Sequence, residues 1–140
     1  KDWYWVSCYS GISVSTSAAR KLMPTQWDTA TTLTFGRQLA VFIHASHTQN
    51  AQLAASVFHD VLAEPYRKSL LPHFDASRAY AMAQGALGFG ISGSGPTVFA
   101  ACDNLQSAQA IATYLQDNYI QNDDGFCHIC RIDDAGTRTL

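Results

Sequence analysis

Apolar and polar positions divide the chain into short segments of distinct period. WYWVSCY (Trp3–Tyr9) is aromatic or β-branched apart from Ser7 and Cys8, which predicts a strand closed by Ser10 and Gly11. SVSTSAARKLMP then predicts a short helix that Ser15 or Thr16 can cap and Pro24 ends. From Trp27 to Thr32 the chain is polar and threonine-rich, a loop or an irregular helix start. Leu33–Ser46 reads as a helix apolar on most sides, and such a helix is expected to be buried. In NAQLAASVFHDVLAEPYR, Leu53, Val57 and Val61 recur every four residues, which predicts a further helix broken at Pro65. LPHFDASRAYAMAQGA predicts another, with Pro72 in its first turn and Gly85 at its end.

The period then changes. LGFGIS and TVFAAC are short strands around a glycine-rich loop. Asp103 can cap the next helix, with Gln106 three residues on as in a capping box. Leu105, Ala108, Ile111, Ala112, Leu115 and Tyr119 form its apolar stripe. QNDDG is a turn and FCHICRI a final strand. The order strand, four helical segments, two strands, helix, strand predicts a two-layer α+β domain, its helices packed on a largely antiparallel sheet. A length of 140 residues suits one domain, 1–140, without an internal linker.

Composition narrows the function classes. The net charge is −2 and no basic run is present, so neither nucleic acid nor an anionic membrane is an expected partner. The apolar runs are too short to cross a bilayer, and no secretory signal is visible. Cys8, Cys102, Cys127 and Cys130 sit in apolar runs and are expected to be reduced thiols of a cytoplasmic protein. The chain opens without a starting methionine, so it is expected to be a piece of a longer protein.

The loop GFGISG (Gly88–Gly93) matches G-x-G-x-x-G, but a strand pattern follows it where a dinucleotide site needs a helix. No Lys-Ser or Lys-Thr follows the glycines, which excludes a P-loop. Two readings remain open: a hairpin turn, or consecutive backbone N–H groups that hold an anion or meet another backbone closely. Cys127 and Cys130 form C-x-x-C, but three residues apart on a strand they point opposite ways, against a shared metal. His44 and His47 could share a metal on a helix, but no third ligand is evident. Asp123–Asp124 and Asp133–Asp134 read as turn residues and solvated charge. Glu64, the sole glutamate, can cap, pair with a nearby arginine or serve catalysis.

GISGSGPTVFAACD (residues 90–103) resembles the third motif of the GHMP kinases, whose members include galactokinase and the homoserine, mevalonate and phosphomevalonate kinases. YSGISVSTSAARKLMP (Tyr9–Pro24), HDVLAEPYRKSLLPHF (His59–Phe74) and NYIQNDDGFCHICRIDDAGTR (Asn118–Arg138) resemble the C-terminal half of bacterial homoserine kinases. The resemblance covers nearly the whole chain. It implies a ferredoxin-like two-layer sandwich with helices on one face of a mostly antiparallel sheet. It implies transfer of the ATP γ-phosphoryl group to L-homoserine, with ATP and Mg²⁺ bound mainly by an N-terminal domain absent from this chain. That domain is an expected partner, as is a second copy in a homodimer. Thr16, Arg20 and Arg67 match positions that contact homoserine, the arginines at its carboxylate. Ser92, Gly93, Ser94 and Gly95 match the loop near the transferring phosphate. No catalytic residue and no metal ligand is expected in this chain, and alone it should be inactive. Another GHMP kinase, or a ferredoxin-like module that binds an amino acid for regulation, is the competing expectation.

Overall fold

The aromatic and β-branched run at the start forms strand β1 (Tyr4–Tyr9), which lies inside the sheet, paired on both edges. The computed structural model describes residues 2–93 and 95–137. After β1 come helices α1 (Thr16–Lys21), α2 (Thr29–His47), α3 (Ala51–Ala55), α4 (Glu64–Arg67) with a 3₁₀ turn at Lys68–Leu70, and α5 (Phe74–Ala83). Strands β2 (Gly88–Ser92) and β3 (Thr97–Cys102), helix α6 (Leu105–Asn118) and strand β4 (Phe126–Cys130) complete the chain. The sheet order is β2-β3-β1-β4, every pairing antiparallel. This is the α+β, ferredoxin-like arrangement expected from the sequence.

Alternation along the strands decides the two faces. Val6, Cys8, Val98, Ala100 and Cys102 point to one face, where Ala108, Ile111, Ala112, Leu115 and Tyr119 of α6 meet them in the core. Burying a side chain such as Ile111 or Leu115 is worth about 1.5–3 kcal/mol, so this stripe carries much of the stability. Helix α5 lies beside α6, where Tyr80 stacks on Tyr114 at 3.9 Å between ring centroids. Gly85, at φ +85°, ends α5: its N–H reaches Met82 O at 3.1 Å and the Ala86 N–H reaches Ala81 O at 3.0 Å. That is a Schellman closure, which needs the left-handed conformation glycine adopts without strain.

The other face carries an aromatic cluster. Phe58 packs against Trp3, Trp5 and Phe99, and Phe42 of α2 joins it at 5.5 Å. A Cβ at Gly88 would stand 2.6 Å from Phe58 Cβ, so only glycine lets Phe58 lie on the strand.

Six expectations are corrected. Helix α2 is not buried: Leu33 is 52% exposed, Leu39 50% and Ile43 49%, because within this chain its apolar residues meet little beyond α3 and Phe58. It also starts earlier, at Thr29, because Asp28 Oδ1 accepts the Thr31 N–H at 2.8 Å. The Leu53–Val57–Val61 helix stops at Ala55, where the Ser56 hydroxyl donates to Leu53 O at 2.7 Å and the chain turns to place Phe58 on the sheet. Pro65 opens α4 rather than breaking a helix, and Pro72 precedes α5 instead of lying in its first turn. Both fit proline's freedom from a donor at helix starts. Asn104, not Asp103, caps α6, its Oδ1 accepting from Ser107 N at 2.8 Å.

Candidate functional site

Strand register gathers one end of the sheet. Tyr9 opposes Thr97 and Phe126, and Ser92 opposes Thr97. The exit of β1, the β2–β3 loop and the entry to β4 therefore lie together. Gln121 N donates to Ser10 O at 2.8 Å and Asn122 Nδ2 to Gly11 O at 3.0 Å, fastening the chain after β1 to the turn before β4.

The glycine loop is built for close approach. Gly93 (φ +65°) and Gly95 (φ +82°) take left-handed conformations. Apart from its chain neighbours, none of the described residues lies within 4 Å of where a Gly93 Cβ would stand, so they leave that side of the loop open. On its other side, a Cβ at Gly95 would be 3.3 Å from Leu71 Cδ2, so the segment after α4 packs on the loop. The Gly95–Pro96 peptide is cis, and Pro96 O accepts the Tyr119 phenol at 2.7 Å. Burial, then the neighbouring Cys8, raises the Tyr119 phenol well above its ordinary range, so it stays protonated as a donor.

Arg67 reaches this loop from α4: its Nη1 donates to Gly93 O at 3.4 Å. Its Nε is buried and has no hydrogen-bond partner among the described residues. A helix of four residues cannot hold itself. Asp60 does part of the holding, with Oδ1 accepting from Leu62 N (2.8 Å) and Ala63 N (2.9 Å) and Oδ2 from Glu64 N (3.2 Å). Glu64 does the rest. It is buried and pairs with Arg78 of α5, whose Nη2 also donates to Phe89 O at 3.0 Å. The guanidinium of Arg78 lies over the Phe74 ring at 5.0 Å.

Of the residues singled out in the sequence, the structure joins Arg67 to Gly93, with Ser92 and Gly95 flanking. Ser94 lies outside the described residues. Thr16 and Arg20 are exposed on α1, and no hydrogen bond or ion pair connects Arg20 to Arg67 or to the described part of the loop. Asp60, Arg78 and Tyr119 support the site without having been singled out for it. Glu64 pairs with an arginine, one of the three roles read for it in the sequence. Cys127 faces Cys8 across the β1–β4 pairing while Cys130 is exposed, opposite ways as expected. Among the described residues no group of three His, Cys, Asp or Glu is placed to hold a metal ion. Nor is any helix among them long and apolar enough to cross a membrane.

The family model for the C-terminal region of GHMP kinases matches residues 40–121, more than half of the chain. The chain belongs to the GHMP kinase C-terminal family. Solved structures agree with this GHMP fold. Homoserine kinase from Cytophaga hutchinsonii ATCC 33406 is similar at a TM-score of 0.85 and 24% identity, over 94% of this chain and 42% of that one. A Listeria monocytogenes protein assigned as a homoserine kinase is similar at 0.63 and 21%, over 91% and 40%. The L. major mevalonate kinase, solved with R-mevalonate, is similar at 0.63 and 15%, over 91% and 41%. This GHMP chain thus spans less than half the length of the kinases it resembles.

Proposed function

We propose that this chain is the C-terminal part of a homoserine kinase. The complete enzyme would transfer the γ-phosphoryl of ATP to the hydroxyl of L-homoserine, giving O-phospho-L-homoserine. One observation carries the reading: Arg67 stands at the glycine loop with one N–H on Gly93 O and its Nε buried without a partner. A guanidinium has five N–H donors in a planar fork, so the remaining ones can take a carboxylate through two parallel hydrogen bonds. Arg20 and Thr16 of α1 would complete the amino-acid end. Ser92, Gly93, Ser94 and Gly95 would line the phosphate end, where the open side of Gly93 leaves room for a phosphoryl group. ATP and Mg²⁺ would be held mainly by a domain outside this chain. Phosphoryl transfer depends on positioning and charge neutralisation, so a domain that fixes the acceptor beside the phosphate contributes directly to rate.

The mevalonate kinase likeness supports a second reading. Mevalonate also joins a carboxylate to a primary hydroxyl, so Arg67 suits it equally; homoserine differs by its ammonium group. The test is ADP release by the full reading frame that carries this chain, with L-homoserine, R-mevalonate or galactose as acceptor. Turnover with homoserine alone supports the proposal. Turnover with another acceptor moves the chain to a different GHMP kinase. Tight homoserine binding by the isolated chain would favour a regulatory module.

A further inference from the structure

Glu64 and Arg67 are three residues apart on one turn of α4, the spacing at which opposite charges on a helix become neighbours and pair. They do not pair. Glu64 instead binds Arg78, fourteen residues on, and Arg67 turns to the carbonyl of Gly93. Burial sharpens the choice: the Glu64 side chain is 4% exposed and that of Arg78 24%. A buried carboxylate must find a cation, and two arginines are candidates by position: Arg78, which it binds, and Arg67, three residues along α4. Arg78 wins because it is held from three sides, by Glu64, by Phe89 O and by the face of the Phe74 ring.

We propose that Arg78 is a positioning residue: by engaging Glu64 it keeps that carboxylate off Arg67, and so leaves the Arg67 guanidinium open for the carboxylate of the substrate. The inference rests on the substrate reading above but concerns residues that reading does not use. Without Arg78, Arg67 is the arginine on the same helical turn as the buried Glu64, while Lys68, one residue further on, is already paired with Asp75 at 3.0 Å. An internal carboxylate would then occupy the fork that the substrate needs.

The test uses the full reading frame with Arg78→Met and Glu64→Gln/Arg78→Met. In Arg78→Met, KM for L-homoserine rises about tenfold or more while kcat stays within about threefold, the pattern of lost substrate binding. In the double variant the competing carboxylate is gone, and most of the lost affinity returns. A pair that merely holds the fold together predicts the opposite order, with the double variant at least as impaired as the single; that result overturns the proposal. Should Arg78→Met fail to fold, the double variant decides, since a buried ion pair replaced by neutral groups is commonly tolerated. Its KM then lies near wild type if the proposal holds, and about tenfold higher if it does not. Should the wild type ignore homoserine, the substrate reading falls by itself. The crystal structure of Arg78→Met then judges the present inference: Glu64 in an ion pair with Arg67 supports it, and Glu64 turned elsewhere overturns it.

Discussion

The phenol of Tyr119, at the end of α6, donates to the carbonyl of Pro96 at 2.7 Å. The helix that builds the core therefore also carries the glycine loop. Tyr119→Phe removes the donor and leaves a buried carbonyl unpaired. We expect a loss of about 1–2 kcal/mol in denaturant unfolding, with faster amide exchange at Gly93 and Gly95.

Gly88 and Phe58 occupy one space on the second face of the sheet. A Cβ at position 88 would lie 2.6 Å from Phe58 Cβ, so Gly88→Ala must push the aromatic ring out of its cluster. Overpacking of this kind costs about 1–3 kcal/mol. The combination Gly88→Ala/Phe58→Ala should show less than the sum of the single losses, measurable as a double-mutant cycle.

Asp28 should make the start of α2 acid-sensitive. Hydrogen bonds from the Thr31 N–H, then from its hydroxyl, hold the Asp28 carboxyl below its ordinary value of 3.8. A carboxyl lowered on folding adds stability above its unfolded value, and that stability fades as pH falls through the folded one. The helical chemical shifts of residues 29–32 should thus decay as pH drops below about 3.8. Asp28→Asn, which caps but does not titrate there, should remove that dependence.

Thiol reactivity should follow burial. Desolvation, with Asp103 nearby, pushes the Cys102 thiol up to about 11. A thiol hydrogen bond with Cys127, then burial, raises Cys8 also. Thiolate is the reactive form, so iodoacetamide at pH 8 should modify the exposed Cys130 and spare Cys8 and Cys102 in the native protein. Mass spectrometry of the digested product reads this directly.

The sheet and the α6 stripe were legible because their signals are local. The β-forming composition of β1 and β3, and recurrence from Ala108 to Tyr119, each describe one element by itself. Leu105 was the exception, exposed at the first turn of α6. Helix α2 misled because apolar content says a surface wants covering, not that this chain covers it. Val57 and Val61 misled because a side-chain hydrogen bond at Ser56 and the caps made by Asp60 redirect the backbone, whatever the spacing of the valines. The glycine loop was visible as a motif. Its meeting with Arg67, twenty-six residues away in sequence, follows no periodicity, and only family resemblance pointed to that arginine. That Glu64 pairs with an arginine was among the roles read for it, but which arginine, fourteen residues on, lies beyond local reading for the same reason.

The central claim is that Arg67 holds the carboxylate of homoserine. The most direct test is ADP release by the full reading frame, wild type against Arg67→Ala, with L-homoserine and with 3-aminopropan-1-ol, which lacks the carboxylate. Truncating a hydrogen-bonded charge contact costs about 2–5 kcal/mol, so kcat/KM for homoserine should fall at least about thirtyfold. For the decarboxylated analogue it should barely change. An equal fall for both, or none for homoserine, would contradict the account.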